Sequence, residues 1–216
     1  MTFASPGWNR QNLQRVEGRE TADSAMRRSA CSIDSFMPTP LGHALGAAAA
    51  GWAVAPPLSR LDRIAILRQG LWFALLGMFP DLDLVWGLHR GPTHSVGAAL
   101  IAGLAVAAGT NNARLGAASG CAYATHALLD WLGADSSMPV GIMALWPMTW
   151  EYYQASTPIF DSVWRRNETP DFWSHNSIAL GKELLVLVPA AWVAWTFAGR
   201  RPSAGKTENT GTGDQE

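Results

Sequence analysis

The chain has 216 residues, a formal net charge of −1 and two cysteines. That length suits one domain with a real core, and the balanced charge excludes both a basic nucleic-acid stripe and an acidic solvating block. Cys31 lies in a polar tail and Cys121 in an apolar run, which excludes a disulfide framework and a cysteine-ligated zinc.

Residues 1–36 are polar and read as a disordered extension without the apolar segment of a secretory signal. Met37 opens Met-Pro-Thr-Pro-Leu-Gly-His and is an alternative start. Residues 37–200 are the candidate domain, and residues 201–216 form a low-complexity tail expected to be disordered.

Five helices are predicted. The first spans Pro40 to Ala55, with Thr39 as cap and Pro40 at the first helical position, where a missing N–H costs nothing. The second spans Leu61 to Phe79 and stops at Pro80. The third spans His94 to Gly109, capped by Thr93; the fourth spans Arg114 to Trp131; the fifth spans Lys182 to Gly199. Between the last two, Leu132 to Ser177 is rich in Trp, Pro and Tyr and without period, which reads as a lid of short helices and loops. No strand pattern stands out. The fold class is all-α: a membrane-associated bundle of five apolar helices with a loop-rich lid before the fifth.

The last three segments each hold about 15 mostly apolar residues, roughly 22 Å of helix, short of the roughly 20 residues of a full span. Sidedness favours a membrane. If the segments alternate in direction, Arg60, Arg63, Arg68, Arg114, Arg200 and Arg201 fall at one end, the pattern of a cytoplasmic face. Trp52, Trp72, Trp192 and Trp195 lie towards that end and Trp86, Trp131, Trp146 and Trp150 towards the other. The alternative is a soluble all-α domain with buried central helices.

The same alternation gathers His43, Asp81, Asp83, His89, His94, His126 and Asp130 at the end away from the arginines. His126 and Asp130 are four apart and share a helix face. Asp81 and Asp83 follow a helix end, and His89 and His94 flank a Gly-Pro turn. Each motif alone could be capping or polar surface. Together, charged groups beside apolar helices are expensive unless paired or metal-bound. Mixed His and Asp donors suit a divalent metal, one ion or two, with Zn²⁺ favoured and Mn²⁺ or Fe²⁺ as alternatives. Such a site can activate water as a metal-bound hydroxide and clamp a phosphoester. Arg90 would offset phosphoryl charge, or else pair with Asp81 or Asp83. Glu183, read as the start of the fifth helix, is a candidate ligand or general base, or a favourable charge at a helix N-terminus. His175 reads as a lid or surface residue, and Asp135 and Asp161 as exposed lid positions.

Taken in order, Pro38-Thr39-Pro40-Leu41-Gly42-His43, Phe79-Pro80-Asp81-Leu82-Asp83, His89-Arg90-Gly91-Pro92-Thr93-His94-Ser95 and His126-Ala127-Leu128-Leu129-Asp130 resemble the YdjM-like family. Trp146-Pro147 and Lys182-Glu183-Leu184-Leu185 add to the likeness, which covers about residues 37–200. The resemblance implies a bacterial inner-membrane protein with a metal-dependent hydrolase label. The His/Asp helix is also similar to the zinc sites of phospholipase C and P1 nuclease, by analogy of ligands only. The expected function is a multi-pass membrane hydrolase of a phosphoester, its substrate a small molecule or a lipid, its partner the membrane lipid, with the site on the non-cytoplasmic side. The alternative is a non-enzymatic membrane protein with a structural or sensory metal.

Overall fold

The computed structural model describes residues 35–36, 38–56, 58, 62–86, 90–135, 138–164 and 170–198. The extension before Ser35, Met37, Arg60, His89, Arg200, Arg201 and the C-terminal tail lie outside these residues.

The fold is all-α, as expected, with five α-helices: α1 (Pro40–Val54), α2 (Arg63–Met78), α3 (Val96–Thr110), α4 (Ala113–Leu132) and α5 (Phe172–Ala198). Thr39 caps α1 by accepting a hydrogen bond from the Gly42 N–H. Asp62 and Asn112 cap α2 and α4 in the same way, through the N–H groups of Ala65 and Leu115. Asn111, in the left-handed conformation, stops α3. Two 3-10 segments, Phe79–Trp86 and Pro92–His94, join α2 to α3.

Four expectations are corrected. The cap of α3 is Ser95, whose hydroxyl accepts the Ala98 N–H, because Thr93 sits in a 3-10 turn and spends its hydroxyl elsewhere. The last helix begins at Phe172, well before Lys182, so Glu183 is mid-helix. Strands exist: β1 (Ser35–Phe36) pairs antiparallel with β2 (Val163–Trp164), which places the end of the supposed disordered extension in a two-stranded ladder. The segment between α4 and α5 contains no short helices among its described residues, only turns, β2 and isolated bridges such as Ile142 with Tyr153.

Helix α1 packs against α2, α4 and α5, and α4 also receives α2 and α3. Helices α1, α3 and α4 are rich in alanine and glycine, and the core joins Ala47, Ala118 and Ala122 to the ring of Phe73. Close approach is required at Gly77 in α2. A methyl group there would collide with the Ala47 side chain and lie 2.8 Å from the His43 carbonyl oxygen. The outer faces are apolar. Ile64, Leu67, Leu71 and Leu75 of α2, Leu100 and Leu104 of α3, and Leu185 and Val193 of α5 are all exposed. Among the described residues α5 alone is long and apolar enough to cross a bilayer. Its 27 residues make about 40 Å of helix, against about 30 Å of hydrocarbon.

Candidate metal centre

The alternating helices bring one set of ends together. His43 is in the first turn of α1, Asp81 just past α2, His94 just before α3, and His126 and Asp130 in the last turns of α4. Arg114 marks the opposite end, where its guanidinium donates to the Val54 carbonyl at the close of α1.

Five of the seven expected ligands form one cluster. His94 Nε2 lies 3.6 Å from Asp81 Oδ1 and 3.5 Å from Asp130 Oδ2. His126 Nε2 lies 3.5 Å and 3.2 Å from the same two oxygens. His43 Nε2 approaches the other oxygen of Asp130 at 3.2 Å, and its ring stacks on that of His126 with centroids 3.9 Å apart. The His and Asp130 side chains are at most 3% exposed, whereas Asp81 is 29% exposed and is the cluster's opening to the outside.

These separations test whether a metal fits. Charge-assisted N–H···O hydrogen bonds close to about 2.7–2.9 Å. Ligands about 2.0–2.2 Å from a tetrahedral zinc stand about 3.3–3.6 Å apart. His94 Nε2, His126 Nε2, Asp81 Oδ1 and Asp130 Oδ2 have four mutual edges of 3.2–3.6 Å, the second spacing rather than the first. Two buried atoms of the cluster, His126 Nε2 at its centre and Asp130 Oδ1 on the side of His43, have no hydrogen-bond partner among the described residues. Donors of this kind, oriented but unbonded, fit a divalent cation.

The outward ring nitrogens are held as metal ligands require. His126 Nδ1 is 2.6 Å from the Gly77 carbonyl, which can only accept, so the proton is on Nδ1 and a lone pair is left on Nε2. His94 Nδ1 lies 3.0 Å from the Thr93 hydroxyl oxygen and 3.3 Å from Asp83 Oδ2, and Thr93 donates to that same Asp83 oxygen at 2.6 Å. Asp83 is therefore behind His94, orienting it, rather than in the central set. Thr93 belongs to this support, and its backbone carbonyl is fixed by the Tyr123 hydroxyl. In the sequence Thr93 reads as a helix cap, and its place between His89 and His94 is the signal for this role. Without a cation, burial would lower the His94 pKa, but Asp81, Asp83 and Asp130 outweigh that and raise it from 6.5 to about 9. Burial acts to raise Asp81, and His94, His126 and His43 bring it below the ordinary carboxylate value.

Of the remaining candidates, His89 lies outside the described residues. Arg90 is buried and pairs with Asp135 at 2.5 Å. The side chain of Asp135, expected to be exposed, is fully buried and also accepts the Gly141 N–H. The Arg90 carbonyl accepts the Met143 N–H, so one residue next to the cluster ties down the lid at two points. Glu183 is fully buried and accepts from both the backbone N–H and the hydroxyl of Thr39. It holds the cap of the helix that carries His43. His175 is a structural residue that stacks on Trp164 and bonds the Ser162 carbonyl. Asp161 is in an exposed ion pair with Lys182.

A helical bundle with an apolar exterior and a buried His/Asp cluster at one end defines a membrane-type all-α protein with a candidate metal centre. The chain belongs to the YdjM inner membrane protein family, whose sequence model matches residues 37–202. No curated protein and no solved structure matches it.

Proposed function

We propose that this protein is a multi-pass inner-membrane hydrolase that cleaves a phosphoester with the help of a divalent cation, zinc first. His43, Asp81, His94, His126 and Asp130 would hold the cation. The observation that carries the reading is a surplus of donors with an opening: two triads that share His126, one with His43 and Asp81 and one with His94 and Asp130, bring together five side chains, one more than a closed tetrahedral ion uses, and Asp81 reaches the surface. A bound divalent cation would bring the pKa of a coordinated water towards neutrality and offset charge on phosphoryl oxygens.

The chain's own residues supply the rest. Asp83 and Thr93 fix the His94 ring, and the Gly77 carbonyl fixes that of His126. Glu183 secures the start of α1 and so the height of His43. Arg90 and Asp135 hold the lid segment over the same end. Arg63 and Arg114, at the starts of α2 and α4, support an assignment of the far end to the cytoplasm, which puts the cluster on the non-cytoplasmic side.

A second reading, a structural or sensory ion without catalysis, is favoured by four His–Asp separations close to the edge length of a closed tetrahedral zinc site. Metal analysis of the purified full-length protein, with Asp81→Ala and His126→Ala beside it, tests both readings, together with turnover of p-nitrophenyl phosphate and bis(p-nitrophenyl) phosphate. The hydrolase predicts bound metal and metal-dependent turnover, both lost in the variants. Bound metal without turnover of any phosphoester favours the second reading, and a folded wild type free of metal sinks both.

A further inference from the structure

We infer that the substrate of this site is a membrane lipid bearing a phosphoester, and that it reaches Asp81 sideways from the bilayer, over the 3-10 segment Phe79–Trp86. The inference rests on the hydrolase reading above and names its substrate class.

A 3-10 helix has three residues per turn, so residues three apart lie on one face. Here the faces are sorted in an unusual sense. Pro80 and Asp83 are buried against the bundle, and Asp83 meets His94. Asp81 leads to the cluster. Phe79, Leu82 and Val85 form the third face, and they are 54%, 50% and 77% exposed. A segment bordering water would turn its carboxylates out and its apolar row in; this one does the reverse. The rim of the cluster's opening is thus an apolar ridge.

The ridge continues a longer one. On α2, Ile64, Leu67, Leu71, Leu75 and Met78 recur at helical spacing on one exposed face, and the next positions in line are Phe79 and Leu82. Helix α2 is 16 residues, about 24 Å, so the stripe covers most of one bilayer core and ends at the only partly exposed side chain of the cluster. For a chain of an inner-membrane family, the occupant of such a stripe is lipid. An acyl chain lying along it brings the ester phosphate, at the headgroup end, to the level of Asp81. Hydrolysis there adds water across one P–O ester bond: the hydroxyl goes to phosphorus and the proton to the departing alcohol oxygen.

The test uses full-length, metal-loaded protein reconstituted in phosphatidylcholine vesicles containing phosphatidic acid or phosphatidylglycerol. The water-soluble comparisons are p-nitrophenyl phosphate and bis(p-nitrophenyl) phosphate. We expect kcat/KM for a vesicle lipid to exceed that of its soluble counterpart by about 100-fold, and Leu82→Asn with Val85→Asn to raise the lipid KM by about 10-fold with metal content retained. Equal efficiency on soluble and vesicle esters, or an unchanged KM in the variant, overturns the inference and leaves the hydrolase standing. So does disulfide cross-linking between copies through Val85→Cys, which would show the ridge covered by a second chain. Metal-loaded protein that cleaves none of these esters takes down the hydrolase reading and the inference with it.

Discussion

Replacing Asp83 with asparagine separates support of the cluster from membership of it. Asp83 Oδ2 accepts the Thr93 hydroxyl at 2.6 Å and faces His94 Nδ1 at 3.3 Å. An amide has the same shape but no charge, and its single carbonyl oxygen can keep the Thr93 bond while the pull on the imidazole proton is lost. Carboxylates behind metal-ligating histidines contribute about 10–100-fold to affinity, or about 1.4–2.8 kcal/mol. The buried setting of Asp83 places the expected loss in the upper half of that range, because little water is present to screen the missing charge. Asp130→Asn, in contrast, strikes a carboxylate whose two oxygens face three histidines, and should abolish tight binding. Zinc titration of the metal-free protein against a chromophoric chelator measures both, with far-UV circular dichroism as the control for folding. A folded Asp83→Asn protein within about twofold of wild-type affinity would refute the orienting role.

Two other outcomes are expected. Metal affinity should rise with pH and level off above about 9, because a cation must displace a proton from His94, whose pKa without metal is raised from 6.5 to about 9. In the metal-free protein the sign is reversed: the raised pKa stabilises the fold fully below pH 6.5, and that contribution disappears as pH rises through about 9. Calorimetry in buffers of different ionisation enthalpy counts the released protons, and affinity that stays flat between neutral pH and 9 contradicts the assignment. Gly77→Ala should destabilise the protein by about 1–3 kcal/mol through overpacking. It should also weaken metal binding, since the same residue's carbonyl holds His126; a variant with lowered thermal midpoint and unchanged affinity would separate the two effects.

What the sequence disclosed followed from how local each signal is. Thr39-Pro40 located the start of α1 because cap and first-turn chemistry involve neighbours only. The alternation of helices was enough to bring His43, Asp81, His94, His126 and Asp130 to one end, since short connections force adjacent segments to run back. The start of α5 escaped notice because Ser174, His175, Asn176 and Ser177 give no apolar period. That turn is fixed instead by contacts with β2, where Asn176 bonds both the N–H and the carbonyl of Trp164. Asp135 reads as a surface residue because its partner, Arg90, is far away in sequence and only the folded lid joins them. The division of labour between Asp81 and Asp83 was equally hidden. Two residues apart in a chain look equivalent, whereas in a 3-10 helix they face different directions.

The five donors come from α1, from the two 3-10 segments and from α4, so the cluster encloses the whole of α2 and α3 between its first and last members. A cation bound there would act as a cross-link. It closes one long loop of chain in the way a disulfide would, and the unbound chain regains the freedom that closure removes. On that account, loss of a bound cation would shorten the survival of the protein. Without such a cation, the chain in the membrane would have four helix termini no longer pinned to one another, those of α1, α2, α3 and α4 at this end, and it is this end, the one that bears the lid, that a quality-control protease would find open.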